Sequence, residues 1–410
     1  MGLCQEVLEL HASVNPAQEQ SDIHVLTITP FFPSQGDERG GFVSEPIGEF
    51  EKLRIRSTVL AVRPVYKSRV LRSFHAPPAS WVRYAALPGN QGLASAGRLL
   101  YWRLRSKVRL LHRENPIHVL HAHAALPCGE AARLLARQLG IPFVVTVHGL
   151  DAYLTHQVAG AAGLRCALVC RRVYQQAARV ICISEQVRQE VLEGTPGLRN
   201  TEVVYNGVDP DAFFPADTPP AGDAVVASVG SLIPIKGHDV TLRAIAELRG
   251  EYPELRVRIV GEGPELRRLQ GLALELGIEE HVDFLGRRTR SEVAEMLRGS
   301  HIFVLPSRYE GLGCAYLEAM ASGLPVIAYR GQGIQEVIRH NDTGLLMVEQ
   351  SAGGAPRALA AILRTLLKNR GMRETMGAAA RRSIIGGYTL RHQAEGLRRI
   401  FDAARGASLS

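Results

Sequence analysis

The 410-residue sequence contains no apolar run approaching the roughly 20 residues needed to span a bilayer. Its opening stretch, MGLCQEVLELHASVNPAQEQSD, lacks the basic and then apolar regions of a secretory leader. Position 6 is Glu6 rather than Ser or Thr, which does not fit the N-myristoylation pattern. The six cysteines, Cys4, Cys128, Cys166, Cys170, Cys182 and Cys314, are scattered without paired metal spacing. Cys166 and Cys170 share a helix face, but nothing near them completes a zinc site. Buried free thiols in a reducing cytoplasm are the expectation. Lysine is scarce, at positions 52, 67, 107, 236 and 368 alone, so the formal charge of +8 is nearly all arginine. That charge reflects either genomic composition or attraction to anionic substrates or membrane lipids. Neither half of the chain opens with a G-x-G-x-x-G turn, which weakens a dinucleotide-oxidoreductase reading.

What is present is an alternation of strand-length Val/Ile runs with helical patterns. One series comprises IHVLTIT from 23, STVLAV from 57, IHVLHAH from 117, PFVVTVHG from 142, RVICIS from 179 and EVVYNG from 202. A second comprises AVVASVG from 224, RVRIVGEG from 256, VDFLG from 282, HIFVLP from 301 and PVIAY from 325. Near-continuous apolar runs mark strands buried on both faces, and intervening helices mark βα units of parallel, doubly wound sheets. The aperiodic NGVDPDAFFPADTPPAGDA, rich in Pro, Asp and Gly, marks a domain boundary. The expected division is a loose tail at 1–21, a first domain at 22–208, a linker at 209–223, a second domain at 224–388 and a final helix at 389–410.

Ligands of such sheets bind beyond the carboxyl ends of strands. There the sequence places the loop PFFPSQGDERGGF with Gly40 and Gly41, then His148, Gly149 and Asp151. The second half contributes Ser231, Lys236 and Gly237, and then Ser307, Arg308, Glu310, Gly311 and Gly313. Lys236, just before a helix N-terminus, suits an anion, or is a solvated loop lysine. VGEGPELRRL, with Gly261, is either a tight βα turn or a phosphate-friendly one.

In FVLPSRYEGLGCAYLEAMASGLPVIA, Glu310 precedes a helix and Glu318 lies about 9 Å along its axis, counting roughly 1.5 Å per residue from Leu312. That spacing is poor for a retaining glycosidase pair (about 5–5.5 Å) and marginal for an inverting one (about 6.5–9.5 Å). Separate roles on one long ligand, or a capping and a paired helix glutamate, remain open. His121 and His123 share one face of a strand end; packing or substrate contact is favoured over a metal, because no third ligand is visible. The segment 93–114 reads as a helix carrying Arg98, Trp102, Arg105 and Arg109 on one stripe. It is either a solvated face or a contact for a membrane surface or anionic acceptor.

Taken together, Glu310-x7-Glu318, VGSLIPIKG, VGEGP, VDFLG and TVHGLD resemble the retaining glycosyltransferases of family 4. The similarity covers about 22 to 405 and is strongest in the second half. LTITPFFPSQGDERGGF, IHVLHAHAALPCG and ICISEQVRQEV resemble bacterial enzymes of exopolysaccharide and cell-wall glycan synthesis. The resemblance implies a GT-B fold: α/β, with two doubly wound Rossmann-like domains facing across a cleft and a C-terminal helix crossing back to the first. It implies a nucleotide-diphosphate-sugar co-substrate, UDP- or GDP-linked, and a lipid-linked or glycan acceptor, with no nucleic acid.

By motif match, Glu318 takes the ribose hydroxyls and Glu310 the donor sugar, with the amides of Gly311, Leu312 and Gly313 near sugar and phosphate. Lys236 neutralises the diphosphate, Gly41 approaches it from the first domain, and His148 meets the transferred sugar. No metal is expected, since no Asp-x-Asp pair falls on a candidate loop. The family often has arginine where this chain has Ser231, which removes one cation from the diphosphate site unless another arginine substitutes. A non-catalytic donor-binding partner subunit and a GT-B-fold epimerase or hydrolase are the alternative readings. The expected setting is cytoplasmic, at the inner face of the cell membrane for a lipid-linked acceptor.

Overall fold

The computed structural model describes residues 22–34, 40–67, 79–87, 92–150, 158, 160–218, 224–348 and 354–407. The tail at 1–21, Asp151 and part of the glycine loop before Gly40 lie outside the described residues.

The apolar runs of the first half form strands β1 (Ile23–Thr29), β2 (Ile55–Pro64), β3 (Ala79–Tyr84), β4 (Val119–His123), β5 (Phe143–Val147), β6 (Arg179–Cys182) and β7 (Thr201–Val203). They make one parallel sheet in the order β3-β2-β1-β4-β5-β6-β7. The second half forms β8 (Val225–Val229), β9 (Arg256–Val260), β10 (Val282–Gly286), β11 (Ile302–Val304), β12 (Val326–Tyr329) and β13 (Gly344–Met347). These pair in parallel in the order β10-β9-β8-β11-β12-β13. Every residue of β1 is buried, as expected for a strand covered by helices on both faces. Strand order reverses between β1 and β4 and between β8 and β11. Those are the points where a crevice opens at the carboxyl edge.

Two strands escape the apolar-run reading. In β3, ASWVRY, only Val82 and Tyr84 are buried, because it is an edge strand. The other, β13, is only four residues long and begins at a glycine.

The domains meet through polar contacts as well as apolar ones. The N-terminus of helix Glu185–Gly194 in the first domain leaves amides unpaired within the helix. Ser184 caps Val187 N at 3.1 Å. The carboxylate of Glu336, from the second domain, accepts from Glu185 N at 2.7 Å, Gln186 N at 2.9 Å and the Tyr205 hydroxyl at 3.0 Å. A carboxylate there also meets the positive end of the helix dipole. The Ser184 hydroxyl donates to Gly311 O, and the Tyr309 hydroxyl to Glu190 at 2.8 Å.

The described part of the linker, 209–218, is anchored. Phe213 is fully buried, and Arg381 donates to its carbonyl at 3.0 Å. The final helix, Leu390–Ala407, returns to the first domain, where Leu397, Ile400 and Phe401 join the cluster containing Ile23, Phe50 and Ile55. Buried Arg398 fixes it by donating to Leu53 O at 2.6 Å and Arg54 O at 3.1 Å. At the crossing, Val208 N donates to Tyr388 O at 3.0 Å and Leu390 N to Val208 O at 3.1 Å.

Replacing Glu336 with Ala removes three hydrogen bonds to one charged acceptor and is expected to cost about 2–3 kcal/mol of stability. Glu336→Gln should cost less. Denaturant unfolding of the two variants beside the parent checks this, and an unchanged midpoint for Glu336→Ala contradicts it.

Candidate functional site

Two glycine-shaped turns bring the second domain's charged groups together. After β8 the chain makes a short turn, Pro234–Lys236, and enters helix His238–Leu248 through Gly237 at φ 70°. A Cβ on Gly237 would lie 2.0 Å from Pro306 O, so only glycine lets this turn press against the end of β11. Arg308 N donates to Ile235 O at 2.8 Å across the same contact, and the Ser307 hydroxyl is spent on the carbonyls of Tyr309 and Ile235. The result places Lys236 Nζ 2.5 Å from Glu310 Oε1.

The glycine loop follows. Gly313, at φ 85°, delays the helix to Cys314–Ala321, two residues later than the count from Leu312 assumed. Of this loop only Gly313 borders the pocket: Leu312 is buried in the core, and Gly311 is packed against Ser184 and the His148 carbonyl of the first domain, so neither stands at the pocket wall as expected from the motif. Among the described residues, no acceptor takes the amides of Gly311, Leu312 or Gly313.

Glu318, 7% exposed, accepts from Arg290 Nη1 at 2.8 Å. Burial raises its pKa above the ordinary carboxylate value, and the Arg290 charge opposes this. Arg290 begins helix Arg290–Arg298, whose start is fixed by a Thr289–Glu292 capping box. The same guanidinium reaches Glu45 of the first domain at 2.8 and 2.9 Å and lies 4.9 Å from the Phe213 ring. Glu45 sits on helix Gly41–Ile47. Gly41 is pressed so close that a Cβ there would meet Glu45 Oε1 at 2.4 Å and Arg290 Nη1 at 3.7 Å.

Ser231, Lys236, Gly261, Glu310, Gly313 and Glu318 line one pocket of about 400 Å³ at the carboxyl edge of the second sheet, with Arg290 on its wall. Gly41 abuts it from the first domain. Gly261 serves packing first: a Cβ there would lie 1.9 Å from Gly230 O, and Gly263 is similarly pressed onto Leu232 O at 2.2 Å. Ser231 is exposed on the pocket wall.

Beyond Glu45, the described first-domain side is aromatic and histidine-rich. His148 lies against Phe42 at 4.7 Å and Phe31 at 5.6 Å between ring centroids, and its carbonyl crowds Gly311. His148 Nε2 is 2.9 Å from His123 Nδ1, and His121 Nε2 is 2.7 Å from the Thr146 hydroxyl. Burial pushes the pKa of His121 and His148 down to about 3, with the His121 charge adding to the effect on His148; it holds His123 well below the usual value. Beside these rings is a cavity of about 10 Å³, room for about one water. Among the described residues, no group of His, Cys, Asp and Glu is arranged to hold a metal.

Sequence reasoning missed Arg290, Glu45 and Glu336. Arg290 was within reach of the strand-end rule, because it follows β10 by only a few residues. Glu45 and Glu336 act across the domain interface, which a linear pattern does not show. The pairing of Lys236 with Glu310 was also missed, since the two had been assigned to different parts of a ligand.

This architecture recurs in solved structures. Sucrose-phosphate synthase from Thermosynechococcus elongatus superposes with a TM-score of 0.77 at 21% identity, over 94% of this chain and 100% of that one. HepE of Anabaena, crystallised with UDP-glucose, superposes with a TM-score of 0.70 at 18% identity, over 92% and 98% of the two chains. The fold is therefore GT-B. The description "Glycosyltransferase Family 4" matches residues 45–212, and "Glycosyl transferases group 1" matches residues 210–383.

Among its relatives, N-acetyl-alpha-D-glucosaminyl L-malate synthase of Bacillus anthracis is 30% identical over 292 residues, 68% of this chain and 73% of that protein. D-inositol 3-phosphate glycosyltransferase of Nocardia farcinica is 33% identical over 309 residues, 70% and 66% of the respective chains. The chain belongs to the family 4 glycosyltransferases.

The buried histidines set a pH limit. In the unfolded chain they titrate near 6.5, whereas His121 and His148 are held at about 3 and His238 at about 4 by burial. Below pH 6.5 the unfolded state binds protons that the native state refuses, so stability is full above that pH and lost as pH falls toward 4. Each group contributes a slope of about 1.4 kcal/mol per pH unit. Denaturant unfolding at pH 7.5, 6 and 5 is expected to show a progressive loss; equal stability at all three contradicts it.

Proposed function

We propose that this glycosyltransferase moves a hexosyl group from a UDP- or GDP-linked sugar to a lipid-linked or glycan acceptor in polysaccharide or cell-envelope synthesis. We further propose that it does so with retention and without a metal. The reading rests on one arrangement: Glu310 and Glu318, both buried, stand in the same pocket as Lys236 and the helix start at Gly313 and Cys314. A carboxylate accepts hydroxyl hydrogens, which suits Glu310 to the sugar and Glu318 to a ribose diol. A lysine and helix-start amides suit a diphosphate. HepE, crystallised with UDP-glucose, shares the fold and supports a nucleotide-sugar donor here.

The mechanism follows from charge. As the anomeric bond breaks, negative charge grows on the leaving diphosphate, where Lys236 and the helix-start amides oppose it. Both carboxylates are engaged by cations and neither is set as a nucleophile, which favours same-face attack with the leaving phosphate accepting the acceptor's proton. His148, neutral at working pH, serves as a hydrogen-bonding partner of a sugar hydroxyl rather than a cation. The close interdomain contacts would exclude water, which otherwise consumes the donor.

The acceptor side supports an amphiphilic partner. Helices Leu93–Glu114 and Gly160–Gln176 pack together on one face of the first sheet, and both start at its carboxyl edge. Trp102 is 59% and Leu164 71% exposed, with Leu99 and Leu168 also exposed. Around them stand Arg98, Arg103, Lys107 and Arg165, while Arg105 covers the Trp102 ring at 4.0 Å. Helix 93–114 carries one acid, Glu114, and helix 160–176 none. Apolar side chains inserted beside arginines suit the anionic headgroup layer.

Incubation with UDP-, GDP- and ADP-sugars plus a lipid-and-glycan extract is expected to release nucleoside diphosphate, and Glu310→Ala to lower release by about a hundredfold or more. Unchanged turnover in Glu310→Ala removes Glu310 from the site. Anionic liposomes should co-sediment the protein at low salt, with loss in Trp102→Ala and at high salt; no binding rejects the membrane contact.

A further inference from the structure

Arg290 stands where three parts of the chain meet. Its guanidinium holds Glu45 of the first domain through two bonds at 2.8 and 2.9 Å, and Glu318 of the second through one at 2.8 Å. It lies 4.9 Å from the Phe213 ring of the linker. Its Nη1 is 3.7 Å from the Cβ position of Gly41, so it borders the glycine turn at the edge of the donor pocket. Two neighbouring arginines also line the pocket, at its exposed rim: Arg287 pairs with Glu262 at 2.9 Å and Arg288 with Glu292 at 3.2 Å. Ser231, exposed on the same pocket wall, has no charge.

The charges near the pocket do not suit an anion as they stand. Lys236, Arg287, Arg288 and Arg290 line the pocket beside Glu262, Glu310 and Glu318, with Glu45 at its edge, and each of these cations is already held by a carboxylate. A diphosphate entering this arrangement meets cations whose charge is already spent on carboxylates, so a cation must leave its carboxylate to face it. A donor offers the compensating exchange, because its sugar and ribose hydroxyls can give hydrogen bonds to the carboxylates those cations release.

Resting on the donor reading above, we propose that Arg290 is a diphosphate-binding residue held in reserve, whose bond to Glu318 is exchanged for one to the diphosphate when donor enters. Glu318 then becomes free for the ribose hydroxyls. The bidentate bond to Glu45 and the Phe213 ring keep the guanidinium oriented, so the exchange moves one arm of a planar fork rather than a whole flexible chain. Glu45 is a positioning residue that also competes with the diphosphate for the same charge.

Calorimetric titration with UDP, GDP and ADP, and then with the monophosphate of whichever binds, tests this. Arg290→Ala is expected to weaken diphosphate binding at least tenfold and monophosphate binding less than threefold. Glu45→Gln, which keeps an oxygen acceptor but removes a negative charge, should strengthen diphosphate binding several-fold. Adding Ser231→Arg to Arg290→Ala should recover part of the lost affinity. Diphosphate affinity within twofold of the parent in Arg290→Ala overturns the inference, as does an equal loss for mono- and diphosphate. Weaker or unchanged diphosphate binding in Glu45→Gln counts against it on a variant that retains Arg290, and failure of Ser231→Arg to recover any affinity counts against a missing cation. If the parent chain binds none of the three diphosphates, the donor reading fails; if it binds one and Arg290→Ala matches it, only this inference fails.

Discussion

A carboxylate taken out of water is tolerated only when a cation or a set of donors stands against it. The second domain buries two, Glu310 and Glu318, in one pocket. That requirement organises much of its surroundings. Lys236 must reach Glu310, so the turn carrying it must press on the end of β11, which requires Gly237. Arg290 must reach Glu318, so its helix must start at a fixed residue, which the Thr289–Glu292 box secures. Through Glu45 the same guanidinium ties the first domain to the second.

The two walls of the cleft differ in kind. The second domain presents ion pairs and helix-start amides, whereas the described part of the first adds one carboxylate, Glu45, to glycine, phenylalanine and histidines kept neutral by burial. Such a contrast fits a bisubstrate reaction in which one partner carries a concentrated negative charge and the other presents hydroxyls.

Much of the architecture was legible in the sequence because parallel strands buried on both faces write themselves as Val/Ile runs. IHVLTIT became β1 residue for residue. Strand β3 was not legible, because an edge strand buries only alternate residues and ASWVRY dilutes that alternation with Ser80 and Arg83. In the site, residues directly after strands were visible through the carboxyl-edge rule, and the structure gathers Lys236, Glu310 and Glu318 into one pocket. The pairings were not visible. Glu336 caps a helix about 150 positions earlier in the chain, and Arg290 joins residues from both halves. Long-range partners depend on how two sheets are set against each other, and no local period encodes that.

The chain passes between the domains twice, at 206–209 and again at 388–390, and these passages lie side by side. Val208 bridges Thr389, with hydrogen bonds to Tyr388 and Leu390 on either side. The two passages are thus tied by one bridge pair and its two hydrogen bonds. A single tether would let one domain tumble relative to the other. Two crossings joined at one place restrict how the domains can be oriented, which favours the meeting of Glu45 with Arg290 and of Ser184 with Gly311.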